Sequence, residues 1–313
     1  MGTHSSGETD GTGFPGLGQK AYGQLLTDFM TWRTTGFIQQ KKIFENLVKQ
    51  DALSHAYIFQ GPEQIGKKLF AQDVFVLANG QDKFDSTDPD FFAIAPRVTE
   101  GETKIYIEDI RDLKTFLSLK PFRGPYQFAI IDDAHRLTPE ASNAFLKLLE
   151  EPTGKVVFIL ITSQPQELLQ TISSRGQHIS FLPHNDEVVV QALTTSKLSK
   201  TDQELVTSLA GGRIGWAITA AENKNIKDIK QAINDFGAIL KSPLAERMLF
   251  AKDLFEKQDY KEQVNYWLAW AYTNRSSLPN AHNVLSQLLM LHQYINQPQY
   301  NHRVLLENTL INL

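Results

Sequence analysis

An α/β unit built on a parallel sheet, followed by helices alone, is the fold class that this 313-residue sequence predicts. Three observations carry it. Short, almost wholly apolar runs alternate with helical patterns as far as Phe181; strands of that kind are covered on both faces, as in a parallel sheet. The first such run leads directly into a glycine-bounded loop and then a helix, the setting that a phosphate-binding loop requires. After Pro183 the strand patterns stop.

The elements follow in chain order. Residues 1–18 are polar and Gly-rich and read as disordered or as an added segment. Residues 21–33 carry Leu25, Leu26, Phe29 and Trp32 and suit a short helix. Residues 1–37 together are expected to form a flexible extension without a function. Over 39–49, Ile43, Phe44, Leu47 and Val48 mark one helical face. Residues 56–59 form a strand ending at Gly61, and 67–77 a helix with Leu69, Phe70, Val74 and Leu77 inward. Asp88-Pro89-Asp90 is a turn before a strand reaching Ile94; 108–119 is a helix with Ile110, Leu113, Phe116 and Leu117 on one side. Residues 128–131 and 156–162 are buried strands and 177–181 a last short one. Between them lies a helix over 139–149, with Thr138 as N-cap, Pro139 at its first position and Glu140 favourable to the dipole. Three short helices are expected over 186–198, 201–209 and 215–222, then longer ones over 244–255, 262–272, 281–294 and 302–313. The expected domains are therefore 38–184, 185–225 and 226–313.

Composition narrows the function. A net charge of -4 argues against broad electrostatic binding to DNA. The chain has no cysteine, which excludes disulfides and cysteine-ligated zinc and fits a reducing cytosol. The histidines lack metal-ligand spacing. No apolar run reaches the roughly 18 residues of a membrane span. Tyr266, Trp267, Trp270 and Tyr272 read as helix packing.

The chemistry concentrates in four places. Gly61-Pro62-Glu63-Gln64-Ile65-Gly66-Lys67-Lys68 follows the phosphate-loop pattern up to its last position. Such a loop cradles phosphates with backbone N–H groups, and its lysine, here Lys67, reaches the terminal ones. The last position normally supplies a hydroxyl to Mg²⁺; here it is Lys68, whose ammonium repels a cation. Asp132-Asp133 ends an apolar strand, where one carboxylate would hold Mg²⁺-bound water and the next would activate the attacking water. Thr162 ends the following strand, where a polar side chain would touch a γ-phosphate. Arg175 follows Ser173-Ser174 in a loop before the last strand. It reads as a solvated charge or as an arginine finger stabilising a phosphoryl group on a neighbouring subunit.

Taken together, Ser54-His55-Ala56-Tyr57, Gly61 to Lys67, Asp88-Pro89-Asp90-Phe91, Ile110-Arg111, Leu117-Ser118-Leu119, Asn143 to Pro152 and Ser173-Ser174-Arg175 resemble the delta-prime family of bacterial DNA polymerase III clamp-loader subunits. The resemblance covers less than half of the chain. It implies an AAA+-type P-loop domain, a small helical lid and an all-α collar that joins subunits into a ring. It further implies a non-hydrolysing stator that helps to place the sliding clamp on primed DNA, with Arg175 completing the ATP site of an adjacent motor subunit. The implied partners are the gamma/tau ATPase subunits, the delta subunit, the clamp and primed DNA, in a cytoplasmic replisome. The chain would belong to a DNA-directed DNA polymerase holoenzyme without making phosphodiester bonds itself. Gly61, Gly66, Lys67, Asp132, Asp133 and Thr162 would then form a degenerate nucleotide site. No cofactor is required, and ATP binding is left open.

Three departures qualify the resemblance. The four-cysteine zinc module common in relatives is replaced by the short stretch 79–87 without cysteine. Motor ATPases of this class carry Glu where Asp133 stands. Gly215 occupies the place of the motor's lid arginine; Arg213 lies two residues earlier, and whether it substitutes is left open. An active ATPase, such as a loader's gamma/tau-like motor subunit, is the alternative; a nucleotide-sensing or DNA-binding module outside replication is the third reading.

Overall fold

The computed structural model describes residues 32–99, 102–152, 154–222, 226–257, 260–295, 297 and 299–313. The expectations for residues 1–31 lie outside that set. The chain divides into two compact units, Met1–Phe181 and Leu182–Leu313.

In the first unit, α1 (Ile38–Lys49) precedes β1 (Ala56–Gln60) and α2 (Lys67–Ala78). Then come β2 (Phe91–Ile94), β3 (Arg97–Thr99), β4 (Glu102–Lys104), α3 (Ile107–Leu117) and β5 (Gln127–Ile131). A 3-10 turn leads into α4 (Pro139–Glu150), β6 (Val156–Thr162), the single turn α5 (Gln170–Ser173) and β7 (Gln177–Ser180). Strands β2-β5-β6-β1-β7 form one sheet in that order, and every pairing in it is parallel, as the apolar strand runs imply. Alternate residues serve opposite layers. Tyr57, Phe59, Phe128, Ile130, Ile159 and Ile161 join the core beneath α1 and α2. Ala56, Ile58, Ala129, Ile131, Phe158 and Leu160 join the one beneath α3 and α4.

The first of these cores is a cluster of rings: Phe59 and Phe70 lie 5.0 and 5.1 Å from Phe181, and Phe44 lies 5.0 Å from Tyr57. Phe44 alone in α1 is fully buried; Ile43, expected inward, is exposed, and so is Leu69 of α2. A helix lying on a sheet buries the centre of its apolar stripe and leaves the margins wet. Helix α3 ends two residues sooner than expected and leaves Leu119 exposed. The antiparallel β3–β4 pair was not legible in the sequence, because each strand has three residues and all six are exposed. Thr138 caps α4 as expected, its hydroxyl accepting from the Ala141 N–H at 3.2 Å.

The extension expected over 1–37 is corrected at its end. Residues 32–37 pack against the domain: Phe37 is 7% exposed, and Trp32 stacks on Phe70 at 4.9 Å. The buried Asp73 of α2 accepts from Arg33 Nε at 2.7 Å, from the Thr34 N–H at 2.9 Å and from the Thr34 hydroxyl at 2.6 Å. A buried carboxylate requires such partners, and the sequence does not show that they come from 39 and 40 residues upstream.

The second unit holds α6 (Asp186–Ala192), α7 (Lys200–Ala210), α8 (Ile214–Glu222), α9 (Ile226–Ile239), α10 (Leu244–Glu256), α11 (Tyr260–Thr273), α12 (Ala281–Ile295) and α13 (His302–Ile311). One core gathers Val189, Val206, Leu209, Ala217, Ile229 and Tyr266; another gathers Phe236, Leu254, Trp267, Leu288 and Leu306. Helix α9 contributes to both, Ile229 to the first and Phe236 to the second. Trp267 is buried; it stacks on Phe236 at 4.8 Å and donates Nε1–H to the Ala232 carbonyl at 3.0 Å.

Candidate functional site

Parallel pairing brings the carboxyl ends of β1, β5 and β6 together: Gln60 is opposite Thr162, and Ile131 is opposite Leu160. In open α/β sheets ligand sites lie beyond these ends. The loop 61–66, the Asp132-Asp133 turn and Thr162 therefore converge, although they are separated in sequence by up to 101 positions.

The loop depends on its glycines. A Cβ on Gly61 would lie 2.1 Å from the Phe181 carbonyl oxygen, and Gly66 has φ +109°, which side chains resist. Lys67, 6% exposed, donates from Nζ to the carbonyls of Gly61 and Pro62 at 2.5 and 2.6 Å. Burial pulls the Lys67 ammonium below its ordinary pKa, and Asp133, Glu63 and Asp132 oppose that shift. Lys68 extends its Nζ to 3.1 Å from Asp132 Oδ2. Asp133 adopts φ +47°, a left-handed conformation that aspartate tolerates better than most residues. Burial and the charge of Asp132 push the Asp133 carboxyl above its usual range.

Thr162 is fully buried, and its hydroxyl accepts the Gln164 N–H at 3.0 Å and pairs with His135 Nδ1 at 3.2 Å. His135 thus ties the Asp132-Asp133 turn to the end of β6. Its buried Nε2 has no hydrogen-bond partner among the described residues, and burial lowers its pKa. Sequence reasoning set His135 aside for want of metal spacing; the signal was its position two residues after Asp133.

Mg²⁺ does not fit this arrangement. The position that should offer a hydroxyl oxygen presents a cation, and that cation already engages the carboxylate that should hold the metal's water. The loop thus follows the phosphate-loop pattern with a cation, paired to Asp132, at the position of the hydroxyl ligand.

Arg175 lies away from these groups, immediately after α5. Its guanidinium donates to the Thr171 carbonyl and to Glu150 Oε1, both at 2.8 Å, with 37% of the side chain exposed. Next to it His178 contacts the Ser173 hydroxyl and carbonyl at 3.1 and 3.0 Å and Gln60 Oε1 at 3.2 Å, fixing the loop to β1. In the second unit Gly215 sits in the first turn of α8. Arg213 donates from Nε to the Ala210 carbonyl at 2.9 Å and lies 5.6 Å over the Trp216 ring.

A family model described as DNA polymerase III, delta subunit, matches residues 38–185. The chain is 26% identical over 253 residues to DNA polymerase III subunit delta' of Bacillus subtilis (strain 168), covering 74% of this chain and 75% of that protein. It is 30% identical over 219 residues to DNA polymerase III subunit tau of the same organism, covering 64% of this chain and 37% of that one. It is 32% identical over 151 residues to subunit delta' of Pseudomonas aeruginosa, covering 44% and 45% of the two. The alignments thus span three-quarters of the first relative and less than half of the other two. A DNA polymerase III gamma subunit-related protein from Thermotoga maritima superposes with a TM-score of 0.52 at 19% identity, covering 85% of this chain and 97% of that one. That likeness is one of fold. Among the described residues no helix is long and apolar enough to cross a membrane.

Proposed function

Because the chain belongs to the clamp-loader family of DNA polymerase III subunits, we propose that it acts there as the delta-prime member. It would be a non-hydrolysing stator that lends Arg175 to the ATP site of a neighbouring ATPase subunit. The observation that carries this reading is the placement of Arg175. Glu150 and Thr171 hold its guanidinium in an exposed loop, and 37% of its side chain remains accessible. A guanidinium held in this way can stabilise charge on a transferring phosphoryl group without ordering a flexible chain at the moment of reaction. The Lys68–Asp132 contact supports the non-hydrolysing part of this reading, because it sets an ammonium where the metal's ligands would be. On this reading the partners are gamma/tau-like ATPase subunits and delta, and the assembly acts on the sliding clamp and primed DNA in the cytoplasm. The unit 38–184 would be the AAA+-type domain, 185–225 the lid and 226–313 the collar.

The test is ATP hydrolysis by a reconstituted loader, stimulated by clamp and primed DNA, with this chain or its Arg175→Ala form. Loss of stimulation in an assembled complex supports the reading; unchanged stimulation overturns it. The 30% identity to a tau subunit favours one alternative, a motor subunit that hydrolyses ATP itself. Steady hydrolysis by the isolated chain at motor-like rates would establish that alternative.

A further inference from the structure

We propose that the Lys68 ammonium is a built-in counter-ion that takes the place of the divalent cation in this loop, so that the site rejects Mg²⁺ while its phosphate scaffold persists. The inference deepens the proposed function and rests on it only in reading 61–68 as a nucleotide loop.

The argument is one of charge and position. Lys68 lies in the first turn of α2, where the pattern requires a hydroxyl. Its Nζ reaches Asp132 Oδ2 at 3.1 Å, bridging the start of α2 to the end of β5. That bridge spans the two provisions a metal would need, the ligand on the loop helix and the carboxylate on the neighbouring strand. A divalent ion entering here would meet an ammonium and would have to displace it from its carboxylate.

The remainder of the loop is not degraded in the same way. Gly61 and Gly66 keep the conformations their positions impose, and Lys67 is buried against the loop carbonyls. The Thr162–His135 contact ties the segment just after Asp132-Asp133 to the end of β6. The defect is therefore local, and one substitution is expected to repair it. Lys68→Thr both supplies the missing oxygen and releases Asp132.

The experiment measures binding of fluorescent ADP to the purified full chain, in excess Mg²⁺ and in EDTA. It is paired with electron paramagnetic resonance of Mn²⁺ in the presence of ADP. The wild-type chain is expected to show no metal-dependent affinity and no ADP-dependent Mn²⁺ signal. Lys68→Thr is expected to bind ADP at least about tenfold tighter with Mg²⁺ than without it and to hold Mn²⁺. Lys68→Met, which removes the charge without adding a ligand, is expected to fall between the two. Metal-dependent binding by the wild-type chain overturns the proposal, and so does a folded Lys68→Thr form that remains indifferent to metal. The Arg175 experiment reads hydrolysis on a different subunit, so either idea can fail while the other stands.

Discussion

Glu150 Oε1 and the Arg175 guanidinium stand 2.8 Å apart, joining the last turn of α4 to the loop that follows α5. Both side chains are substantially exposed, and exposed pairs of this kind contribute only about 0.2–1 kcal/mol. The contact is thus a matter of direction more than of stability. Glu150→Gln is expected to leave urea unfolding within about 1 kcal/mol of wild type while lowering stimulated hydrolysis in a reconstituted loader. Equal hydrolysis by the two forms would show that Arg175 needs no such restraint.

Asp73 anchors residues 32–37. Asp73→Ala leaves the Thr34 N–H and the Arg33 Nε–H without their acceptor, and is expected to cost about 2 kcal/mol. The local readout is sharper than the global one. Amide exchange at Thr34 should accelerate more than exchange in β6, and limited proteolysis should begin within residues 32–37.

Asp90 performs a similar task for the turn before β5. Fully buried, it accepts N–H groups from Phe122, Arg123 and Gly124 at 2.5, 2.6 and 2.8 Å. Removing it strands three donors at once, so Asp90→Ala is expected to destabilise by about 3 kcal/mol or more in urea unfolding. Asp90→Asn retains shape and part of the bonding and should lose less.

His135 makes stability depend on pH. Burial lowers its folded pKa below the ordinary 6.5, so the folded state favours the neutral ring. The stabilisation is present above about 6.5 and is lost as pH falls through the folded value. The melting temperature of the wild-type chain should therefore drop, as pH falls below about 6.5, more steeply than that of His135→Gln. Parallel curves for the two forms would mean that the ring contributes nothing to that slope.

Much of the fold was legible because its signals are local. Apolar runs such as 156–162 can be satisfied only between two covering layers, and Thr138-Pro139 marks a helix start by its own hydrogen bonding. Gly61, Gly66, Lys67 and Lys68 show their departure from a phosphate-loop pattern within one short stretch, and short separate runs as far as Arg175 carry the family resemblance. What only the tertiary structure decided concerns the partner each polar group finds. Lys68 reaches Asp132, Thr162 reaches His135, Arg175 reaches Glu150 and Asp73 reaches back to Arg33 and Thr34. The physical reason is that backbone periodicity is set by neighbouring residues, whereas a buried or half-buried charge is satisfied by whichever group the sheet brings within about 3 Å.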